Sequence, residues 1–251
     1  MYYRKYFSGS IESNTAYRLV QNIVNTANTY DYYNQTDVVC SAIKSTLEDV
    51  EIQCEYDETS RTLVIDGVTI QILVYNQNGY IGYYANGITL GQVTYTPFSG
   101  LNYKFYVTLK GDKDGMLQIF IGYFSIPAAE VYGFVIGKGT DLKDGQDIRV
   151  ASGNNISSVG AVYILKNDAI LPECKTQITF GQQFTYDSVL TNSGKEITLV
   201  ECVALPGRFR LNNCYCGSGG LTVGEFYNIG GDIYYYISKN ILVKCVSEQA
   251  S

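Results

Sequence analysis

The chain has 251 residues but no histidine, no tryptophan, only four prolines, and fewer basic than acidic residues, 18 against 24. Two of these shortages remove a class of function. Without histidine there is no side chain that titrates near neutrality unaided, the commonest metal ligand is missing, and no Ser-His or Cys-His nucleophile pair can form. A net charge of −6 is the wrong sign for a surface that neutralises phosphates, so general nucleic-acid binding is not expected. No window approaches the roughly 18 apolar residues of a membrane-spanning helix. Gln118, Gly122 and Ser125 interrupt even the apolar segment Met116–Ile126. The opening Met1–Gly9 lacks the apolar run of roughly 7–15 residues that marks a secretory leader. Folding in the cytoplasm, without membrane insertion, is therefore expected. What is present, 46% apolar and 17% charged residues with 24 tyrosines and 25 glycines, describes a folded chain long enough for one large domain or two smaller ones.

Seven cysteines, Cys40, Cys54, Cys174, Cys202, Cys214, Cys216 and Cys245, are odd in number. Several sit in alternating apolar runs, where cysteine serves as a small buried hydrophobe. In a reducing compartment they are expected as thiols. Only Cys214-Tyr215-Cys216 is clustered, and its single intervening residue is not the two-to-four spacing of a zinc knuckle. No metal and no cofactor are expected.

Two helices are expected first. Ser10 can cap residues 11–29, where Tyr17, Val20, Val24 and Ala27 recur at helical spacing; Thr36 or Asp37 can cap residues 37–49, where Val39, Ile43 and Leu47, with Val50 just beyond the end, repeat at three to four residues. From residue 50 the period becomes two. Asp66-Gly67, Asn78-Gly79 and Asn86-Gly87 are hairpin dipeptides, and Gly111–Gly115 joins Tyr103–Leu109 to Met116–Phe124. Strands follow at Val131–Ile136, Ile148–Val150 and Val159–Leu165, then at Gln177–Phe180, Glu196–Val203, Phe209–Leu211, Ile233–Ile237 and Ile241–Val246. The fold class read from this is α+β: two N-terminal helices on an antiparallel meander, followed by a small all-β, sandwich-like domain. The boundary is placed at Leu171-Pro172, giving domains 1–171 and 172–251, with Ser152–Ser158 as a rival break.

Motifs that carry chemistry are weak. Gly133–Thr140 departs from a phosphate loop in glycine spacing and in Gly139 where Ser or Thr belongs, and Gly217-Ser218-Gly219-Gly220 lacks the third glycine of a dinucleotide turn. Asp112-Lys113-Asp114-Gly115 has a fragment of a calcium loop without its downstream glutamate. Glycoside hydrolysis needs only two carboxylates; Glu173, Asp187, Glu196 and Glu201 are present, but nothing pairs any two. No catalytic residue is assigned. The tyrosines are more informative. Tyr32, Tyr33, Tyr83, Tyr84, Tyr234, Tyr235 and Tyr236 come in pairs and a triplet, so neighbours on a strand must face opposite ways. Outward rings serve protein interfaces or stack on sugars, whereas inward rings make cross-strand contacts. These seven residues are the expected partner interface.

An N-terminal helix, a meander ending near Phe120–Ser125 and the closing segment Phe226–Lys244, with its Tyr234-Tyr235-Tyr236 hairpin strand, together resemble the virion structural proteins of tailed bacteriophages and phage-tail-like particles of Gram-positive gut bacteria. The resemblance implies a non-enzymatic component of tail, baseplate or neck, made in the host cytoplasm and present in the virion in several copies. Its implied partners are other virion proteins and copies of itself. A carbohydrate- or receptor-binding module for host attachment, touching a surface glycan, is the alternative. No invariant motif comes with the resemblance, so it carries over no functional residue.

Overall fold

The computed structural model describes residues 1–11, 18–21, 28–75, 80–85, 88–93, 98–99, 101–123, 132–155, 158–167, 169–170, 188–192, 195–204, 208–218, 221–238 and 241–245. In chain order its strands begin with β1 (Tyr2–Ser10), β2 (Arg18–Gln21) and β3 (Asn28–Asp31), followed by helix α1 (Tyr33–Glu48). Next come β4 (Cys54–Asp57), β5 (Thr62–Ile65), β6 (Val68–Tyr75), β7 (Tyr80–Ala85), β8 (Ile88–Val93) and β9 (Phe98–Ser99). The long strands β10 (Asn102–Gly111), β11 (Met116–Tyr123), β12 (Tyr132–Asp141), β13 (Gln146–Asn155) and β14 (Ser158–Lys166) follow, then the short β15 (Ala169–Ile170). The remainder is β16 (Ser188–Asn192), β17 (Lys195–Ala204), β18 (Phe209–Ser218), β19 (Phe226–Ile229), β20 (Asp232–Ser238) and β21 (Ile241–Cys245). The described strands form a 14-stranded and a 7-stranded sheet.

The expected α+β class is therefore wrong: the chain is mostly β, with a single helix among the described residues. Within the expected helix 11–29, Arg18–Gln21 pairs antiparallel with Asn28–Asp31, Gln21 opposite Asn28. Asp31 then lies opposite Tyr75, which joins this hairpin to β6. Helical spacing of four apolar residues lost to a tertiary ladder, to which β-branched Val20 and Thr29 are suited. Tyr17, Val24 and Ala27 lie outside the described residues. The second helix is present, starting four residues early at Tyr33. Val39, Ile43 and Leu47 are fully buried as their spacing requires, and the helix lies against β4 and β6. The expected caps have other work. Thr36 Oγ1 accepts from the Val74 amide at 3.0 Å. Asp37 accepts from the Tyr56 hydroxyl at 2.5 Å and pairs with Arg61 at 3.1 Å. Burial, aided by that contact, pushes the Tyr56 phenol far above its usual range.

Two compact units make up the chain. One comprises residues 4–108 and 119–134, the other residues 1–3, 109–118 and 135–251. The expected boundary at 171/172 falls inside the second, and residues 171–187 lie outside the described residues. In the first unit, β5 and β6 meet across Asp66-Gly67, both with positive φ, 49° and 79°; this is the conformation that Gly and Asp tolerate and that a tight hairpin demands. The core of the second unit gathers Met116, Val135, Ile148, Val150, Ile164, Phe209, Leu211 and Cys214 with Tyr235, Ile237, Ile241 and Val243. Beside it, β12 pairs with β18, Gly139 opposite Leu211 and Asp141 opposite Phe209. Gly139 has no room for a side chain, since a Cβ there would stand 2.4 Å from the Arg210 carbonyl oxygen. Gly139→Ala is expected to force these strands apart at a cost of about 1–3 kcal/mol. A lower urea midpoint at unchanged slope is the expected reading; an unaltered midpoint would contradict the pairing.

Candidate functional site

Strand β18 has three partners. Against β17 it runs in register from Ser218 opposite Thr198 to Tyr215 opposite Glu201, and resumes with Arg210 opposite Val203. Two steps along β17 (201 to 203) thus face five along β18 (210 to 215). Leu211, Asn212, Asn213 and Cys214 all stand opposite Cys202, an enlarged bulge. On the edge that β17 leaves open, Phe209–Leu211 pairs with β12 and Cys214–Cys216 pairs with β21, Cys214 opposite Val243. The exchange of partners takes place at Asn212-Asn213. Asn213 turns it with φ 50°, a left-handed conformation that asparagine adopts more readily than any β-branched residue.

The tip of the β10–β11 hairpin fills the gap. Gly115 sits so close that a Cβ would lie 2.8 Å from the Asn212 carbonyl and 3.3 Å from both Asn213 Cβ and Val243 Cγ1. Its carbonyl accepts from the Lys138 amide at 2.9 Å. The tip is itself braced: Asp114 N–H donates to Asp112 Oδ1 at 2.9 Å, and Lys138 Nζ reaches Asp114 Oδ1 at 3.1 Å. The bulge leaves an open depression of about 360 Å³ lined by Asp114, Arg210, Leu211, Asn212, Asn213, Cys214 and Tyr215. Leu211 and Cys214 are its buried residues. The Tyr215 ring meets Tyr234 edge-on at 5.9 Å.

At the end of the β12–β18 ladder, where Asp141 stands opposite Phe209, a buried carboxylate clamps the two strands. Asp141 is fully buried. Arg208 grips it in a fork, Nε to Oδ1 at 3.1 Å and a terminal nitrogen to Oδ2 at 3.0 Å. Lys166 of β14 reaches Oδ2 at 3.0 Å, and the Lys143 amide donates to Oδ1 at 3.1 Å. Lys166 also pairs with Asp144. A buried charge with every oxygen satisfied persists, where an unpaired one would be expelled or neutralised. The guanidinium, aided by Lys166, holds the Asp141 carboxyl far below the usual carboxylate range.

The expected interface tyrosines are mostly interior. Tyr83, Tyr84, Tyr234, Tyr235 and Tyr236 are buried, as is Tyr32 at 8% exposure; Tyr33 is half-buried, with Arg61 over its ring at 5.9 Å. Alternation along β20 does hold. Tyr235 joins the main core and donates to Gln118 Oε1, while Tyr234 and Tyr236 point the other way, into a second cluster with Ile229 and Leu242. That second face is covered too, by Tyr215, Leu221, Val223 and Tyr227. Tyr227 Oη accepts from the Thr222 amide at 2.7 Å, holding this cover down. Tyr83 packs on Phe134, 5.4 Å between ring centres. Among the described residues the large exposed ring is Tyr6 at 59%, which stands outside the doublets that carry the expected interface.

Cys40, Cys54 and Cys214 are buried thiols, and Cys245 is partly buried. Burial pushes the Cys54 thiol up to about 12. Cys216 lies on β18, but its side chain, like Cys174, is outside the described residues. Among the described residues no group of three metal-ligating side chains occurs. Gly133–Thr140 lies within strand β12 and Gly217-Ser218 within β18, so neither forms a phosphate-binding turn. Glu173 and Asp187 lie outside the described residues. Glu196 and Glu201 are on β17, with side chains not described. The chain matches no family model, and no curated protein or solved structure is significantly similar to it.

Two outcomes follow from the clamp and the thiols. A carboxyl whose folded pKa is depressed adds stability above its unfolded pKa of about 3.9, and that stability is lost as pH falls below it. Asp141→Asn is expected to cost about 2 kcal/mol at pH 7, and the gap between variant and parent should narrow by pH 3. Urea titrations at both values check this, and a gap independent of pH would show the clamp to be idle. At pH 8 an alkylating reagent should leave Cys54 unmodified in the folded chain and label it after unfolding, as mass spectrometry of the peptides would read.

Proposed function

We propose that the chain is a non-enzymatic structural protein of a phage virion or phage-tail-like particle, assembling in several copies in the tail, baseplate or neck. The observation that carries the reading is how the charged and aromatic groups are spent. Asp141, Arg208 and Lys166 tie β12, β14 and the start of β18 together, and Tyr234–Tyr236 fill the clusters on both faces of β20. Side chains that could do chemistry are used as cross-links between strands, as a structural scaffold requires. The closing segment that carries the resemblance is realised as consecutive antiparallel strands β19, β20 and β21, Tyr235 standing opposite both Phe226 and Val243. Partners are other virion proteins and further copies of this chain. Contacts of that kind close into rings when the rotation between copies allows it.

The buried tyrosines do not supply the contact surface. Large apolar side chains exposed among the described residues are Tyr6, Val64, Leu101 and Leu142, and scattered exposure of this kind is ordinary until a partner covers it. The test is to image native particles from the source bacterium and locate the chain in the density. Several symmetry-related copies in the tail, baseplate or neck is the expected result. A protein that stays monomeric at high concentration and is absent from every particle would overturn the reading.

A further inference from the structure

The geometry points to the depression at the β18 partner switch as a binding site for a neutral saccharide. The lining decides the ligand class. Asn212 and Asn213 each bring an amide that donates and accepts, Asp114 accepts, Arg210 donates, and Tyr215 offers both a ring and a hydroxyl. A sugar presents the complementary set: hydroxyls that each donate and accept, on a ring whose C–H faces suit an aromatic side chain. A purely apolar ligand would cover the Asn212 and Asn213 amides without hydrogen-bonding them. An anion is disfavoured, because Arg210 is the single cation among the lining residues, which also include the carboxylate-bearing Asp114.

The site is also built in advance. Ladders fix β18 on either side of the bulge, at Phe209–Leu211 and at Cys214–Cys216. Gly115 wedges against Asn212 and Asn213. Tyr215 is held by Tyr234 at 5.9 Å. Little freedom is left to lose on binding, which is the condition for modest contacts to give measurable affinity. A volume of about 360 Å³ is within the range of about 300–1,000 Å³ typical of small-molecule sites. The site does not depend on assembly into a particle, since all its lining residues belong to one compact unit of one chain.

The test uses the full chain on an array of animal, plant and bacterial glycans, followed by NMR titration with the best-retained oligosaccharide. Asn213→Gly keeps the positive φ while deleting the amide, and combined with Asn212→Ala it is expected to weaken binding about tenfold or more. Tyr6→Ser, in the other unit, should bind as the parent does. Should the double variant fail to fold, amide shifts of the parent chain decide: they are expected to move at Arg210–Tyr215 and Asp114. Retention of no glycan, unchanged affinity in the folded double variant, or shifts confined to other residues would each overturn the assignment.

Discussion

Each edge of a β-strand carries one ladder, so a strand with three partners has to share an edge between two of them. Strand β18 does this at Asn212-Asn213, and much of its unit is arranged around that exchange. The β17 ladder must skip, which produces the bulge at Leu211–Cys214. A gap opens between β12 and β21, and only a residue without a side chain fits into it, hence Gly115 at a hairpin tip. The polar depression is what remains on the open side. Scaffold and candidate site are thus one feature, and a change that straightened β18 would remove both.

Such an exchange needs anchoring, and the Asp141 carboxylate provides it. It sits opposite Phe209 at the end of the β12 ladder, where the chain also turns from Leu142, whose amide donates to the Arg208 carbonyl at 2.6 Å. Arg208 therefore holds the crossing by both backbone and side chain, and its guanidinium lies 4.5 Å from the Phe209 ring centre. A buried ion pair is a poor source of net stability compared with apolar packing. Its directional fork instead fixes which strand pairs with which.

Local turn chemistry and short-period patterns were legible in the sequence; tertiary coverage was not. Asp66-Gly67 and Gly111–Gly115 turn where expected because their backbone demands are local. Val39, Ile43 and Leu47 marked α1 because one helix face meets one sheet. Residues 11–29 misled because four apolar residues at helical spacing cannot report that Arg18–Gln21 has a strand partner seven or more residues later. Tyr234–Tyr236 were assigned correctly to alternate faces, but the cover over the outer face comes from Leu221, Val223 and Tyr227, whose pattern carries no sign of that duty. The depression left one trace, the dipeptide Asn212-Asn213 inside an otherwise strand-like run, which reads as a break only once the β12 and β21 ladders on either side of it are known.

Cross-strand amide NOEs in a deuterated sample measure the partner exchange most directly. Contacts from Leu211 to the Gly139 region together with contacts from Cys214 to the Val243 region are expected in the same chain. A continuous ladder from residues 209–218 to a single strand on that edge would contradict the switch, and with it the origin assigned here to the clamp, the glycine wedge and the depression.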